Sequence, residues 1–253
     1  DVLLEEAARR WADEYARDVV DRIRQHAGLE VETTIRGGPI GETIQAVAAE
    51  QGADLLVMST HGRGPFSRTW LGSVADAVTR TSEVPVLLIR PDGEEAPDLA
   101  TDIELRHVLI PLDGSTLAES VLETALSLGG GWDARYTLLR VVRYPTQTVS
   151  AYLPDTARMI EEKVREETAA ADEYLSGQVT RLRELGVTVE GRVSVANSVG
   201  RGIIRHADEV AADMIALASH GRGGVRRAVL GSVADKVVRG AAQPVLVVRA
   251  TGD

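Results

Sequence analysis

A chain of 253 residues with 44% apolar and 26% charged side chains has the composition of an ordinary globular protein that can bury a real core, so no membrane-embedded or fibrous reading is needed. A formal charge of −10 speaks against a broad nucleic-acid surface, because binding by counterion release needs a basic face. The absence of cysteine excludes disulfides and thiolate metal sites and fits a cytoplasmic location.

Taken in chain order, Leu4, Ala8, Trp11, Tyr15, Val19 and Ile23 recur at helical spacing, which predicts one amphipathic helix over residues 2–27 that ends near Gly28. The opening Asp1-Val2-Leu3-Leu4-Glu5-Glu6 does not read as a signal peptide, and no run of about 18 apolar residues suggests a membrane span. Val31–Arg36 alternates as a short strand, Gly37-Gly38-Pro39 turns the chain, and a helix follows with Ile44, Val47 and Ala48. Asp54–Ser59 reads as a buried strand, followed by a glycine-rich loop, a helix from Ser73 to Thr81, and a strand over Pro85–Ile89. Residues 91–105, with Pro91, Pro97 and acidic side chains, read as a linker.

His107–Asp113 is an apolar strand ending in an acid, and Gly114-Ser115-Thr116 turns it into a helix, where Thr116 and Glu119 have the spacing of a capping box. Tyr136–Val142 predicts the next strand, and residues 144–155 a polar loop. A long helix then runs from Thr156 to a stop at Gly186. Val187–Val195 is a strand, Val199–Ala211 a helix, Asp213–Leu217 a strand, and Pro244–Val248 the last strand. Strands alternating with helices in this way predict an α/β fold with a parallel sheet.

The stretch from Asp54 to Arg90 recurs from Asp213 to Arg249 at a constant offset of 159, with 18 of 37 positions identical. This is an internal duplication, and it divides the chain into units at residues 1–91 and 106–253. Upstream of the match the first unit has nothing like His107–Asp155, so its first strand, first helix and second strand are expected to belong to roughly fifty residues that precede the sequence.

Both copies carry Gly-x9-Gly-Ser after an apolar strand: Gly62, Gly72, Ser73 and Gly221, Gly231, Ser232. Together with Pro111-Leu112-Asp113-Gly114-Ser115 and the ending Pro244–Arg249, this closely resembles the universal stress protein family. The resemblance covers all of residues 107–249 and, for residues 2–90, the later part of a second unit. It implies two tandem Rossmann-like domains with five-stranded parallel sheets in the order 3-2-1-4-5, the first lacking its N-terminal β-α-β part. It also implies ATP, with or without Mg2+, at the carboxyl ends of the strands, which agrees with the general rule for open α/β sheets.

Residue by residue, the resemblance assigns Gly221, Gly231 and Ser232 to the phosphates, with backbone donors from Val233 and Ala234. Asp113 would bond ribose or adenine beside Pro111, and Val141 and Val142 would line the adenine. Leu217, Ala218 and Arg222 complete this set, and Met58, Ser59, Gly62, Gly72, Ser73 and Val74 form the corresponding set of the first unit. The family motif has a further glycine where Ser59 and Ala218 stand here, and Pro65 replaces Gly224.

Each feature also has a plainer reading. The glycine loops serve equally as turns and helix caps, and Asp at a strand end often caps the next helix. His61 and His220 have no partner at metal-ligand spacing on their own elements and read as structural. Arg63, Arg68, Arg222, Arg226 and Arg227 screen phosphate charge or form a solvated loop. No nucleophile elbow, cysteine nucleophile or Walker lysine is present, so the expectation is a non-enzyme with at most slow ATP hydrolysis.

The sequence reading is therefore an ATP-binding cytoplasmic stress-response protein, with a dimerisation or scaffold module of the same fold as the alternative. An enzyme of the wider α/β class is the weaker third reading. The last strands of the two units are expected to pair with each other as a pseudo-dimer, and two chains to associate further. Neither nucleic acid nor membrane is expected as a partner.

Overall fold

The computed structural model describes residues 2–60, 71–90, 104–144, 154–220 and 230–249. The His61, Gly62, Arg63, Pro65, Arg68, Gly221, Arg222, Gly224, Arg226 and Arg227 readings lie outside these, as do most of the 91–105 linker and of the 144–155 loop.

In the first half, α1 (Val2–Ala27) ends at Gly28, whose φ of +62° is a left-handed conformation that favours glycine. It is followed by α2 (Ile40–Glu50), β1 (Leu56–Ser59), α3 (Ser73–Thr81) and β2 (Val86–Ile89). The second half runs β3 (His107–Pro111), α4 (Thr116–Glu119), α5 (Val121–Gly130), β4 (Arg135–Arg143), α6 (Pro154–Glu184), β5 (Val189–Ala196), α7 (Val199–Glu209), β6 (Met214–Ala218), α8 (Ser232–Gly240) and β7 (Val245–Val248).

These strands make one seven-stranded sheet in the order β1-β2-β7-β6-β3-β4-β5. Within the second half, β5-β4-β3-β6-β7 is the 3-2-1-4-5 order, every neighbouring pair parallel. The first half adds the parallel pair β1–β2 alone, the counterparts of β6 and β7. The halves meet where β2 and β7 pair antiparallel, Val86 opposite Val247, Leu87 opposite Leu246 and Leu88 opposite Val245. Because Leu87 and Leu246 are repeat equivalents, this ladder is centred on a local two-fold axis.

Proline stands just before each of these strands, where its missing N–H costs no ladder bond. The carbonyls of Pro85 and Pro244 instead accept from Leu56 and Ile215. The apolar side chains that alternate along the strands bury on both faces. On one face Val86 and Leu88 share a cluster with Val245 and Val247 under α3, α7 and α8, so the seam lies in a common core. On the other face, α5 and α6 cover Val108, Ile110, Leu138 and Leu246.

Two local expectations are corrected. Val31–Arg36 forms no strand. In the second half the corresponding strand, β5, is held by its ladder to β4, and among the described residues the first half has no strand in that neighbouring place. A strand without a ladder leaves its backbone groups to water, and alternation alone does not create one. Thr116 and Glu119 form no capping box either, because Ser115 is the N-cap and its Oγ accepts from Ala118 N at 3.2 Å. Glu119 turns to α6 instead.

Candidate functional site

The parallel strands of the second half bring their carboxyl ends to one edge, and the order in which strands are added reverses between β3 and β6. There the helix-bearing connections leave to opposite faces and open a crevice. A cavity of about 700 Å3 occupies this place, lined from both faces of the sheet. That volume is within the range of small-molecule sites.

Of the residues singled out from sequence, Pro111, Asp113, Val141, Val142, Leu217, Ala218, Gly231, Ser232, Val233 and Ala234 all line it. They arrive from the ends of β3, β4 and β6 and from the start of α8, so residues up to 123 positions apart in the chain, Pro111 and Ala234, share one wall. Met58, Ser59, Gly72, Ser73 and Val74 are not brought to it. They sit at the end of β1 and the start of α3, in the other half of the sheet.

Gly231 sets the α8 end of the cavity. Its N–H donates to the Ser219 carbonyl at 2.9 Å, and a Cβ at this position would lie 3.0 Å from that same oxygen. A side chain here would push the helix start and the strand end apart, so glycine suits this close approach. The first-half counterpart repeats the bond, Gly72 N donating to Thr60 O at 2.7 Å. No side chain caps α8 at Gly231, so the N–H groups of its first turn face the crevice with the positive end of the helix dipole.

Asp113 stands at the turn between β3 and α4. Its Oδ1 accepts from Ser115 N at 2.9 Å and from the Ser115 hydroxyl, which fixes the turn, yet the residue also borders the cavity. Gly114, between them, has a φ of +80°.

The sequence reading missed Arg140, Tyr174 and His220 as cavity residues. Arg140 follows the buried Leu138 and Leu139 and donates to the Leu112 carbonyl at 3.3 Å; a charge inside an apolar strand was the available signal. Tyr174 comes from α6, with Glu167, Ala170 and Ala171 on the same helical stripe. Its hydroxyl donates to Glu119 Oε1 at 2.8 Å, and Gln178 Nε2 donates to the same oxygen at 3.0 Å. Burial first, then the hydrogen bond and charge of Glu119, push the Tyr174 pKa up, with Arg140 acting the other way, so the phenol stays neutral. His220, read as structural, pairs through Nδ1 with Ser219 Oγ at 3.1 Å, and its buried Nε2 finds no hydrogen-bond partner among the described residues.

The cavity wall holds an apolar strip, the side chains of Asp113 and Glu167, a helix start at Gly231 and Ser232, and the side chains of Arg140 and Arg143. Among the described residues, no group of three or more His, Asp or Glu side chains could hold a metal ion. No described helix is long and apolar enough to cross a membrane.

The sequence profile of the universal stress protein family matches residues 1–90 and 104–249. The chain belongs to the universal stress protein family. A universal stress protein of Mycolicibacterium smegmatis is 28% identical over 245 residues, covering 97% of this chain and 78% of its own length. One from Mycobacterium tuberculosis is 30% identical over 197 residues, and this chain spans 62% of that protein's length. The crystal structure of a universal stress protein from Archaeoglobus fulgidus superposes with a TM-score of 0.64 at 22% identity, over 100% of this chain and 81% of that one, which shows the shared fold. The two matched segments make this a tandem member.

Proposed function

We propose that the second half binds ATP, alone or with Mg2+, at the crevice between β3, β4 and β6, and that the nucleotide acts as a regulatory and stabilising ligand in a cytoplasmic stress response. One observation carries this reading: ten residues picked from sequence for nucleotide contacts meet in a single cavity of about 700 Å3. In the proposed arrangement the first turn of α8, from Ser232 to Ala234, donates backbone N–H groups to the phosphates. Asp113 accepts from the ribose hydroxyls, and Val141 and Val142 face the base. Mg2+, where present, would be carried by the phosphates. The units divide at residues 1–91 and 106–253, and two chains associate into a homodimer.

For the first half we propose the scaffold reading, because its β2 pairs antiparallel with β7 of the second half. Its role is then to pair with the second half through β2 and β7.

The test is thermal unfolding with and without ATP and Mg2+. Ligand at about 100 times its Kd stabilises the native state by about 2.7 kcal/mol, which raises Tm by several degrees. Asp113→Ala and Gly231→Val remove the rise. A wild-type chain whose Tm does not move with ATP overturns the proposal.

A further inference from the structure

We infer that Tyr174 is a specificity residue of this site, its ring forming the wall against which the base of a nucleotide packs, and that Glu119 and Gln178 hold the ring in place. The inference rests on the nucleotide reading above. It starts from the shape of the α6 stripe that borders the cavity. Glu167, Ala170, Ala171 and Tyr174 follow one another at helical spacing, and the two alanines leave open space beside the one large side chain. Tyr174 is the single aromatic ring of Phe, Tyr or Trp among the described lining residues, in a protein with only 4% of these types.

The ring cannot drift, because its hydroxyl is anchored at 2.8 Å to Glu119 Oε1, and Gln178, one turn further along α6, holds that same oxygen at 3.0 Å. Glu119 ends α4, the helix that begins at the Asp113–Ser115 turn, so the ring and the carboxylate are set by one short element. Val141 and Val142 of β4 line the same cavity. A phenol held in place at the cavity wall offers a fixed face to a planar heteroaromatic ring. A ring fixed before binding loses little freedom on contact, so its contribution appears in affinity. The helix start at Gly231, by contrast, addresses only the phosphates. Base and phosphate contacts are thus separable by mutation.

The experiment is calorimetric titration of the full chain with ATP and with inorganic tripolyphosphate, which lacks the base. Tyr174→Leu keeps apolar bulk and is expected to weaken ATP binding about tenfold or more, leaving tripolyphosphate binding unchanged. Tyr174→Phe keeps the ring and most of the affinity, while Glu119→Gln, which leaves the phenol a weaker partner, falls between the two. A wild type that binds ATP while Tyr174→Leu binds it equally well overturns the assignment alone. Equal losses for ATP and tripolyphosphate in Tyr174→Leu also overturn it, since they report a general collapse of the site. A wild type that binds neither probe overturns the nucleotide reading and this inference with it.

Discussion

Arg239 on α8 reaches across the seam between the two halves to place its guanidinium 3.0 Å from Asp76 on α3, while also holding Asp235 of its own helix at 3.0 Å. The duplicated pair returns the contact, Arg80 sitting 2.8 Å from Asp76 and 3.3 Å from Asp235. Four charges, two from each copy, close into a ring over the β2–β7 ladder. Their attraction raises the Arg80 pKa, with the Asp76 hydrogen bond the largest contribution. Two more arginines strengthen the seam at helix ends, where carbonyls lack partners. Arg90 donates to Arg239 O at 3.0 Å and its repeat equivalent Arg249 to Thr81 O at 3.3 Å.

The ring predicts a salt-sensitive seam. Its side chains are a quarter to a third exposed, so solvent screening limits each pair. Asp76→Ala is expected to cost about 1 kcal/mol in urea unfolding at low salt, with most of that difference gone at about 1 M NaCl. The cross-half pair Asp76/Arg239 should show a positive coupling in a double-mutant cycle.

Gly202 predicts a packing cost that also reaches the cavity. A Cβ there would lie 2.9 Å from Val141 Cγ1 and 3.0 Å from Ala196 Cβ, which is how closely α7 approaches β4 and β5. Gly202→Val should destabilise the chain by about 1–3 kcal/mol through overpacking. Since Val141 lines the cavity, ATP affinity should fall as well, measured by titration of the folded variant.

His107 predicts a pH dependence from the far end of the sheet. The side chain is buried, its Nε2 2.8 Å from Thr137 Oγ1 and its Nδ1 3.1 Å from the Val210 carbonyl. Burial, and next the Arg135 guanidinium, lower its pKa below 6.5, while the Val210 carbonyl and the Asp213 and Glu190 carboxylates oppose them. A depressed histidine pKa means that the unfolded chain takes up the proton first. The contribution of His107 is therefore intact above pH 6.5 and is lost as pH falls below it. Urea unfolding between about pH 7.5 and 5.5 should show wild type losing stability more steeply than His107→Gln.

Ser115 joins a helix cap to the site. Ser115→Ala removes the hydroxyl that caps α4 and one donor to Asp113, and should cost about 1 kcal/mol of stability. Nucleotide affinity should fall too, by less than in Asp113→Ala, as a comparison of ATP titrations would report.

Much of this architecture is legible in the sequence. Apolar runs of strand length, the stops at Gly28 and Gly186, and the duplication at an offset of 159 give the order of elements. The family motif then gives the sheet order and ten of the cavity residues. What is not legible depends on partners distant in the chain. Val31–Arg36 has the alternation of a strand, and nothing in its own residues tells whether a ladder stands beside it. Thr116 and Glu119 have the spacing of a capping box, yet Ser115 takes the cap and Tyr174, 55 residues onward, takes Glu119. The identity of Asp76 with Asp235 and of Arg80 with Arg239 is plain from the repeat, but the exchange of partners across the seam needs the antiparallel β2–β7 pair. Tyr174 carries no motif, and only the packing of α6 over β4 and β5 delivers it to the cavity.

Native mass spectrometry with added ATP tests the central claim most directly. The wild-type chain is predicted to carry one adenine nucleotide per chain, and Gly231→Val, whose side chain would press on the Ser219 carbonyl, to carry none. A wild-type spectrum that shows only the bare chain in the presence of excess ATP would contradict the account.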